Sequence, residues 1–549
     1  MLDYCALCRL RKKAQATCST DMTCWRMDLS PVQLRNLSWR EYRGIRMKLA
    51  YVTLVSIFAM TVAPAFAQEL PKQKYSANVP SSILTPDTVQ TRIGTLKFFD
   101  GLPDKETVEK VYDQLDFGRG VEAFMSGMPA ASVYGLCEGL SGIGVERNGA
   151  IGITEDLMDA RSIFLTPNST TVYVFLCLDL NKGPMVVQVP PKVLGPADDA
   201  YFHWITDVGL TGPDRGKGGK YLFVPPGYKD AVPDSGYFVA RPKTNGVVIF
   251  YRAFVEKGDV AGAVKGVKAS AAVYPLSAAA KPPAQTFVNT SGMKFNTVHA
   301  NTFHFYEELN AVVQNEPAGF AGPETMGLFA AIGIKKGEPF APDTRMKAIL
   351  TDAVAVANAA ARAIVFAPRD PRVKIYPDRE WGTAFPGGSY QFMDNGAYNL
   401  DARSLFHYYA TGITPAMAAA RPGSGSAYAY SARDSQGSYL EGGKTYKITL
   451  PAPVPVNQFW SFTVYDNQTR SMLETNQKLA GIDSNQPSIK KNADGSVTIW
   501  FGPKAPAGQE SNWVETVPGK GWNSLLRLYG PLEPWFNKTW KPGDFELVN

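Results

Sequence analysis

The chain has 549 residues with 56 Lys+Arg and 50 Asp+Glu, but residues 1–67 hold ten of the basic and four of the acidic side chains, leaving 46 of each beyond them. The charge is therefore confined to the amino end, which excludes the persistent basic face that a nucleic-acid partner needs. An aromatic content of 12% with 49 Gly and 40 Pro points to many short strands joined by turns, over a length that suits about three domains.

Residues 49–67, "LAYVTLVSIFAMTVAPAFA", follow Arg40, Arg43, Arg46 and Lys48 and end in Ala65-Phe66-Ala67. A basic flank, an apolar run and small residues at a cleavage site are the marks of a secretory signal peptide. The run approaches the roughly 20 residues of a membrane span only by counting Pro64 and several hydroxyl residues. Residues 47–67 are thus expected to be a signal cleaved near Ala67, with residues 1–46 an upstream extension ahead of Met47 and no integral membrane span after processing. The extension contains Cys5, Cys8, Cys18 and Cys24; the second pair is too widely spaced, and too far from any His, for a structural zinc site. Cys137 and Cys177 remain, compatible with one disulfide or two buried thiols.

Beyond the signal, residues 105–136 show apolar residues at helical spacing. Strand-like runs follow from Ile163, including "TTVYVFLCLDL", "PMVVQVP", "AYFHWITDVG", "KYLFVPPGY" and "GVVIFYRAF". Residues 252–370 read as mainly helical, most clearly in "TRMKAILTDAVAVANAAARAIVF" behind Pro342-Asp343. Strands return in "YAYSA", "KTYKITLP", "QFWSFTVYD" and "SVTIWFGP", with Asp494-Gly495 as a hairpin signal. The expected fold is mainly β with α: a helical lead-in and first β domain over 68–250, a helical region over 251–370 and a second β domain over 371–549. Short, Pro-terminated, aromatic strands of this style suit two jelly-roll-like β-sandwiches.

The segment "DVGLTGPDRGKGGKYLFVPPGY" (207–228) tests as a phosphate cradle and fails. Gly212 and Gly216-Lys217 lack the spacing of a P-loop, Tyr221 stands where a dinucleotide fingerprint needs its third glycine, and a strand follows where a helix should begin. A strand connection with a positive φ at Gly218 or Gly219 is expected instead.

The run "HWITDVGLTGPDRGKGGKYLFVPPGY", with "TPNSTTVYVFLCLDLNKGPMVVQVP" before it, resembles the family called domain of unknown function 1254. The stretches "FWSFTVYDNQTRSMLETNQ", "NADGSVTIWFGP" and "NWVETVPGKGWNSLLRLYGPLEPWFNKTWKPGDFELV" resemble its companion, domain of unknown function 1214. The resemblance implies a secreted or periplasmic bacterial protein on jelly-roll-like domains, often a homo-oligomer. It implies no reaction.

Signatures such as G-x-S-x-G and H-E-x-x-H are missing. Four histidines, at 203, 299, 304 and 407, leave too few ligands for a metal-dependent oxidoreductase, and neither metal nor cofactor is expected. Strand alternation puts His203 and Asp207 on one face with Trp204 opposite, so the imidazole and carboxylate form a candidate pair, the alternative being that Asp207 caps the glycine turn. His304 with Glu307 and Glu308 reads as a solvated helix face. Tyr465, Asp466 and Arg470 end a strand as the polar rim of a sugar or carboxylate pocket, or as a salt bridge locking the turn. His203, Asp207, Tyr465, Asp466 and Arg470 are therefore the candidate catalytic residues, and Trp204, Trp460, Asn168 and Tyr173 the candidate binding residues for a small-molecule or glycan ligand. The functional reading is an exported hydrolase acting on a small polar, glycan or ester substrate; the alternative is a non-catalytic ligand-binding or envelope-associated structural oligomer.

Overall fold

The computed structural model describes residues 74–548; the expected extension (1–46) and signal (47–67) lie outside them. Residues 74–84 hold one 3-10 turn, Ser81–Ile83, and everything below concerns the compact unit that begins at Thr85.

That unit opens with a small sheet of β1 (Thr88–Thr91), β2 (Gly94–Phe99) and β3 (Leu102–Pro103), then runs into helix α1 (Lys105–Ser141). The Asp104 carboxylate accepts the Thr107 N–H at 2.7 Å and caps the first turn of α1. A first set of strands follows: β4 (Ile151–Ile153), β5 (Ser162–Ile163), β6 (Thr171–Asp179), β7 (Met185–Val189), β8 (Val193–Asp199), β9 (Trp204–Gly209), β10 (Gly219–Phe223), β11 (Phe238–Ala240) and β12 (Gly246–Phe254). After α2 (Val260–Lys268) come β13 (Ala272–Pro275), β14 (Phe287–Asn289) and β15 (Phe295–Asn296). The strands therefore continue through a stretch that composition suggested was helical, because β13 and β14 complete sheets begun before residue 250.

Two of these sheets face each other, one ordered β14-β4-β6-β12-β8-β9 and the other β11-β10-β7-β13. Their apolar faces share one core, with Val174 and Leu176 of β6 and Ile249 and Tyr251 of β12 meeting Val187 of β7 and Phe223 of β10. Alternation does the sorting. The other face of the six-stranded sheet, including Phe175, Cys177, Val248 and Phe250, is covered by α1 and belongs to the helical core.

That helical layer comprises α1, α3 (His304–Asn315), α4 (Pro323–Ala331), α5 (Thr344–Phe366) and, after a hairpin of β16 (Met393–Asp394) and β17 (Ala397–Tyr398), α6 (Leu400–Tyr409). As Pro342-Asp343 predicts, Asp343 caps α5, accepting the Met346 N–H at 2.7 Å. Among the described residues α5 is the helix long and apolar enough to cross a membrane. Its buried stripe of Leu350, Val354, Ala357, Ala361 and Val365 has helical spacing and faces the other helices, as in an amphipathic core helix.

The last part contains β18 (Ser426–Ser431), β19 (Thr445–Leu450), β20 (Trp460–Asp466), β21 (Gly481–Asp483), β22 (Val497–Gly502), β23 (Trp513–Glu515), β24 (Trp522–Tyr529) and β25 (Glu546–Val548). They form a second pair of facing sheets, β18-β24-β20-β21 and β23-β22-β19-β25, around a shared apolar core. Asp494-Gly495 does form a turn, with Gly495 at φ +82°, but only its carboxyl flank becomes a strand. The fold is thus mixed α and β with several sheets, in which two sandwiches flank a helical layer. Parallel edge pairings, β4 with β14, β10 with β11 and β22 with β23, interrupt the otherwise antiparallel larger sheets, and β5 with β15 is a separate parallel pair.

The glycine segment crosses from β9 in one sheet to β10 in the other. It is built around an acid: Asp214 accepts N–H groups from Gly209 at 2.8 Å and Gly218 at 2.9 Å and the Tyr221 hydroxyl at 2.6 Å. A loop whose amides already close on a buried carboxylate has no place for a phosphate. Asp214, and not Asp207, is the residue that ties this turn. Of the two glycines expected to need a left-handed backbone, Gly218 has φ +76° and Gly219 lies in the strand. A Cβ on Gly218 would also stand 2.7 Å from the Val189 carbonyl oxygen. Gly218→Ala is expected to cost about 1 kcal/mol or more, while Lys217→Ala, an exposed position, leaves stability within about 0.5 kcal/mol; chemical unfolding of the two variants measures the difference.

Candidate functional site

A cavity of about 1350 Å³ opens where the β8–β9 hairpin, α1, α4, α6 and the segment 237–243 meet. The hairpin supplies Asp199, Tyr201, His203 and Trp204; α1 supplies Arg119, Glu122 and Ser126; α6 supplies Arg403 and His407.

The hairpin is shaped by Asp199, which is 1% exposed. One carboxylate oxygen accepts the N–H groups of Tyr201 at 2.8 Å and His203 at 2.9 Å, and Phe202 takes a positive φ of 53° to complete the turn. The other carboxylate oxygen lies 3.0 Å from His203 Nδ1. This pairing fixes the ring and leaves Nε2 for a ligand. The His203 side chain remains 40% exposed, so the buried partner holds a ring that the cavity can reach.

Sequence alternation paired His203 with Asp207, and here the structure corrects it. The β8–β9 register shifts at Ala197/Asp198: Asp198 lies opposite Trp204, and Ala197 opposite Thr206. This bulge resets the alternation. Trp204 consequently donates its indole N–H to Asp207 at 2.9 Å, and Asp207 serves the tryptophan, not the histidine. Burial raises the Asp207 carboxyl above its ordinary range, and burial pushes the fully enclosed Asp198 well above it, against the 2.8 Å N–H donated by Ile413. Asp199 went unnoticed in the sequence, although an Asp four residues before a His across a tight turn was its available signal.

His407 stacks on Phe202 at 5.5 Å and meets Phe392 edge-on at 5.4 Å. Burial lowers its pKa to about 3, helped by the charges of Arg403 and His203, so the ring is neutral. Its Nδ1 and the Nε of Arg403 are both buried without a hydrogen-bond partner. Arg403 otherwise reaches Ser126 Oγ at a long 3.4 Å and lies over the Tyr398 ring. Arg241 and Lys243 add positive charge to the wall, and Trp204 with Tyr390, edge to face at 5.6 Å, adds aromatic surface.

The remaining candidates lie elsewhere. Tyr465 donates to the Pro167 carbonyl at 2.6 Å and accepts from Arg527 at 2.7 Å, fully buried between the two sandwiches. Asn168 accepts the N–H groups of Thr170 and Thr171 and donates to the Tyr173 hydroxyl at 2.8 Å, ordering the entry to β6. Asp466 pairs with Lys520. Arg470, 1% exposed, donates to the Tyr408 carbonyl at 3.1 Å and to the Gln468 carbonyl at 2.7 Å, and its guanidinium lies 4.1 Å from the Tyr408 ring. Asp466 and Arg470 therefore form neither a pocket rim nor a salt bridge with each other, and burial lowers the Arg470 pKa to about 10. Trp460 packs in the core of the second sandwich beside Phe462. His304 sits on an exposed face, its Nδ1 2.6 Å from Glu307. Among the described residues no group of three or more His, Cys, Asp or Glu is arranged to hold a metal.

Residues 149–275 match the family described as protein of unknown function DUF1254, and residues 425–533 match the one described as protein of unknown function DUF1214. The chain carries both regions, in that order. The His203–Asp199 pair lies in the DUF1254 region, Tyr465 and Arg470 in the DUF1214 region, and α1 and α6, which close the large cavity, in neither. The crystal structure of the VPA0106 protein from Vibrio parahaemolyticus is similar in fold, with a TM-score of 0.50 at 18% identity over 79% of this chain and 100% of that one. That of an uncharacterized protein from Burkholderia cenocepacia aligns with a TM-score of 0.36 at 11% identity over 80% and 96%. A search of curated proteins finds no match.

The neutral His407 sets a pH dependence. Below about 6.5 an unfolded chain protonates this histidine while the folded one does not, down to about 3, so folding stability falls as pH drops through that window. His299, lowered to about 4 by burial, acts in the same sense. His407→Gln is expected to reduce the loss of stability between about pH 6.5 and about pH 4.5 by up to about 1.4 kcal/mol per pH unit, measured by urea unfolding across that range.

Proposed function

We propose that the large cavity binds a small polar molecule bearing an acidic group, and that His203, oriented by Asp199, acts there as a general base in hydrolysis of an ester or glycan bond. The observation that carries this reading is the Asp199–His203 pair, a buried carboxylate holding an accessible imidazole at the wall of a 1350 Å³ cavity. Arg119, Arg241, Lys243 and Arg403 outnumber the wall carboxylates Glu122, Asp199 and Glu324, which favours an anionic ligand. Tyr201, Trp204, Tyr390 and Tyr398 supply faces for a sugar or an aromatic ring. The unpartnered Nδ1 of His407 and Nε of Arg403 are polar atoms that a bound ligand would satisfy.

In the proposed step His203 Nε2 takes a proton from water as the water oxygen bonds to the reacting carbon. The bond from that carbon to the leaving oxygen then breaks, and the imidazolium returns the proton to the leaving group. A second reading, ligand binding without catalysis, is favoured by one observation: among the described residues no serine, threonine or cysteine is hydrogen-bonded to His203, so water must be the nucleophile. Export is part of the proposal, supported by the leader-like residues 49–67 and by a Cys137–Cys177 disulfide of the kind that oxidising compartments preserve.

Turnover of a panel of esters and glycosides by the purified protein tests the catalytic reading. His203→Asn is expected to lower kcat about 100-fold or more with unchanged thermal unfolding. Asp199→Asn keeps an oxygen for the turn but presents an amide to Nδ1 and favours the wrong tautomer, so it should lower kcat with little change in KM. Full activity in His203→Asn would overturn general-base catalysis. Saturable ligand binding by a protein that turns over nothing in the panel would favour the second reading.

A further inference from the structure

A second cavity, of about 70 Å³, lies where the outer faces of the two sandwiches meet the helical layer. It shares no lining residue with the large one. From the first sandwich come Tyr173 of β6 and Arg252 of β12; from the second come Tyr428 of β18 and Arg527 of β24. The alternation of each strand dictates this convergence. Val248 and Phe250, four and two residues before Arg252, face the helical layer, while Ile249, Tyr251 and Ala253 point into the first sandwich. Likewise Leu526 and Leu528 point into the second sandwich, leaving Leu525 and Arg527 outward.

Arg527, buried, and Arg252, half-buried, thus line one cavity. None of the residues lining the cavity is an Asp or Glu. Arg527, 2% exposed, is held by neutral oxygens: Thr463 Oγ1 at 3.0 Å, the Thr166 carbonyl at 2.7 Å and the Tyr465 hydroxyl at 2.7 Å. Arg252 is half-buried, and its polar neighbour is the Tyr428 hydroxyl. Burying an unpaired ion is unfavourable, and arginine does not escape the cost by losing its proton. Burial acts against both charges; it also raises the Tyr428 pKa, but the charges of Arg252 and Arg527 outweigh it and bring that hydroxyl below its ordinary value. The Thr411 hydroxyl, another lining group, is buried without a partner.

We infer that this cavity is a binding site for one small monovalent anion, of the size of chloride, formate or nitrate, held between Arg252 and Arg527 with the Tyr428 and Thr411 hydroxyls as further donors. The volume selects the size, since it holds only a few atoms the size of a water oxygen. Neutral waters alone would satisfy the donors and leave the buried Arg527 and the half-buried Arg252 without an opposite charge. Because its ligands come from both sandwiches, the anion would bridge them, and its binding would stabilise their association. This site is independent of the proposed chemistry at His203.

The test uses the full chain, freed of small anions by dialysis into gluconate, which is too large for the cavity. Thermal unfolding is followed as gluconate is exchanged for chloride, formate or nitrate at constant ionic strength. A saturable rise in Tm of about 3 °C at a hundredfold excess over Kd is expected, absent in Arg252→Met and weakened in Arg252→Lys. Crystals grown in bromide should show an anomalous peak between Arg252 and Arg527, a readout that needs no variant to fold. A Tm indifferent to these anions, or a cavity without bromide, would refute the inference. So would a phenolate absorption band at neutral pH that disappears in Tyr428→Phe, because Tyr428 would then itself be the counter-charge.

Discussion

The contact between helix α1 and the outer face of the six-stranded sheet is the constraint around which the molecule is arranged. A sheet that fills one core with its inner face still has a second apolar face to cover. Here Phe175, Cys177, Val248 and Phe250 form that face, and α1 lies on it with almost every residue from Ala123 to Cys137 buried or half-buried. The Cys137–Cys177 disulfide joins helix to strand at this contact. At its carboxyl end α1 also approaches β15 closely, which depends on Gly139, where a Cβ would fall 2.0 Å from the Asn296 carbonyl oxygen. With α1 fixed, α3, α5 and α6 pack around it, and Tyr430, Tyr465 and Leu525 carry the same core into the second sandwich.

Polar groups sit where this packing is incomplete. At the open end of the helical layer α1, α4 and α6 part from the β8–β9 hairpin and leave the large cavity, with His203 on its wall. At the inner junction the two sandwiches meet through tyrosines and arginines, and the remaining space is small. Arg470 behaves as a structural cation in the same region: a positive φ of 57° turns its backbone so that its carbonyl accepts the Thr166 N–H, while its guanidinium reaches α6. The junction is therefore held by hydrogen bonds from charged donors to neutral oxygens, which are stronger than neutral pairs but leave the charge itself unmatched.

Much of the local structure was legible in the sequence, because it is decided over a few residues. The alternation in "FWSFTVYD" sets Trp460, Phe462 and Val464 on one face and Ser461, Thr463 and Tyr465 on the other, as in β20. The Asp343 cap, the helical stripe of α5 and the connecting role of the glycine segment follow from short-range rules of the same kind. Alternation failed at His203, where the bulge in the hairpin changes which side chains meet.

The sequence by itself determined most of the strands and helices, which residues of a regular strand share a face and the end of the chain that carries the excess charge, since backbone preference and hydrophobic period act locally. Only the tertiary structure decided that His203 answers to Asp199 and Trp204 to Asp207, that Trp460 is core, and that Tyr173, Arg252, Tyr428 and Arg527 surround one cavity. Those groupings depend on which sheet faces come to lie together, and that is set by burial of whole faces against α1. The burial is a sum over many distant residues, which no short window of sequence contains.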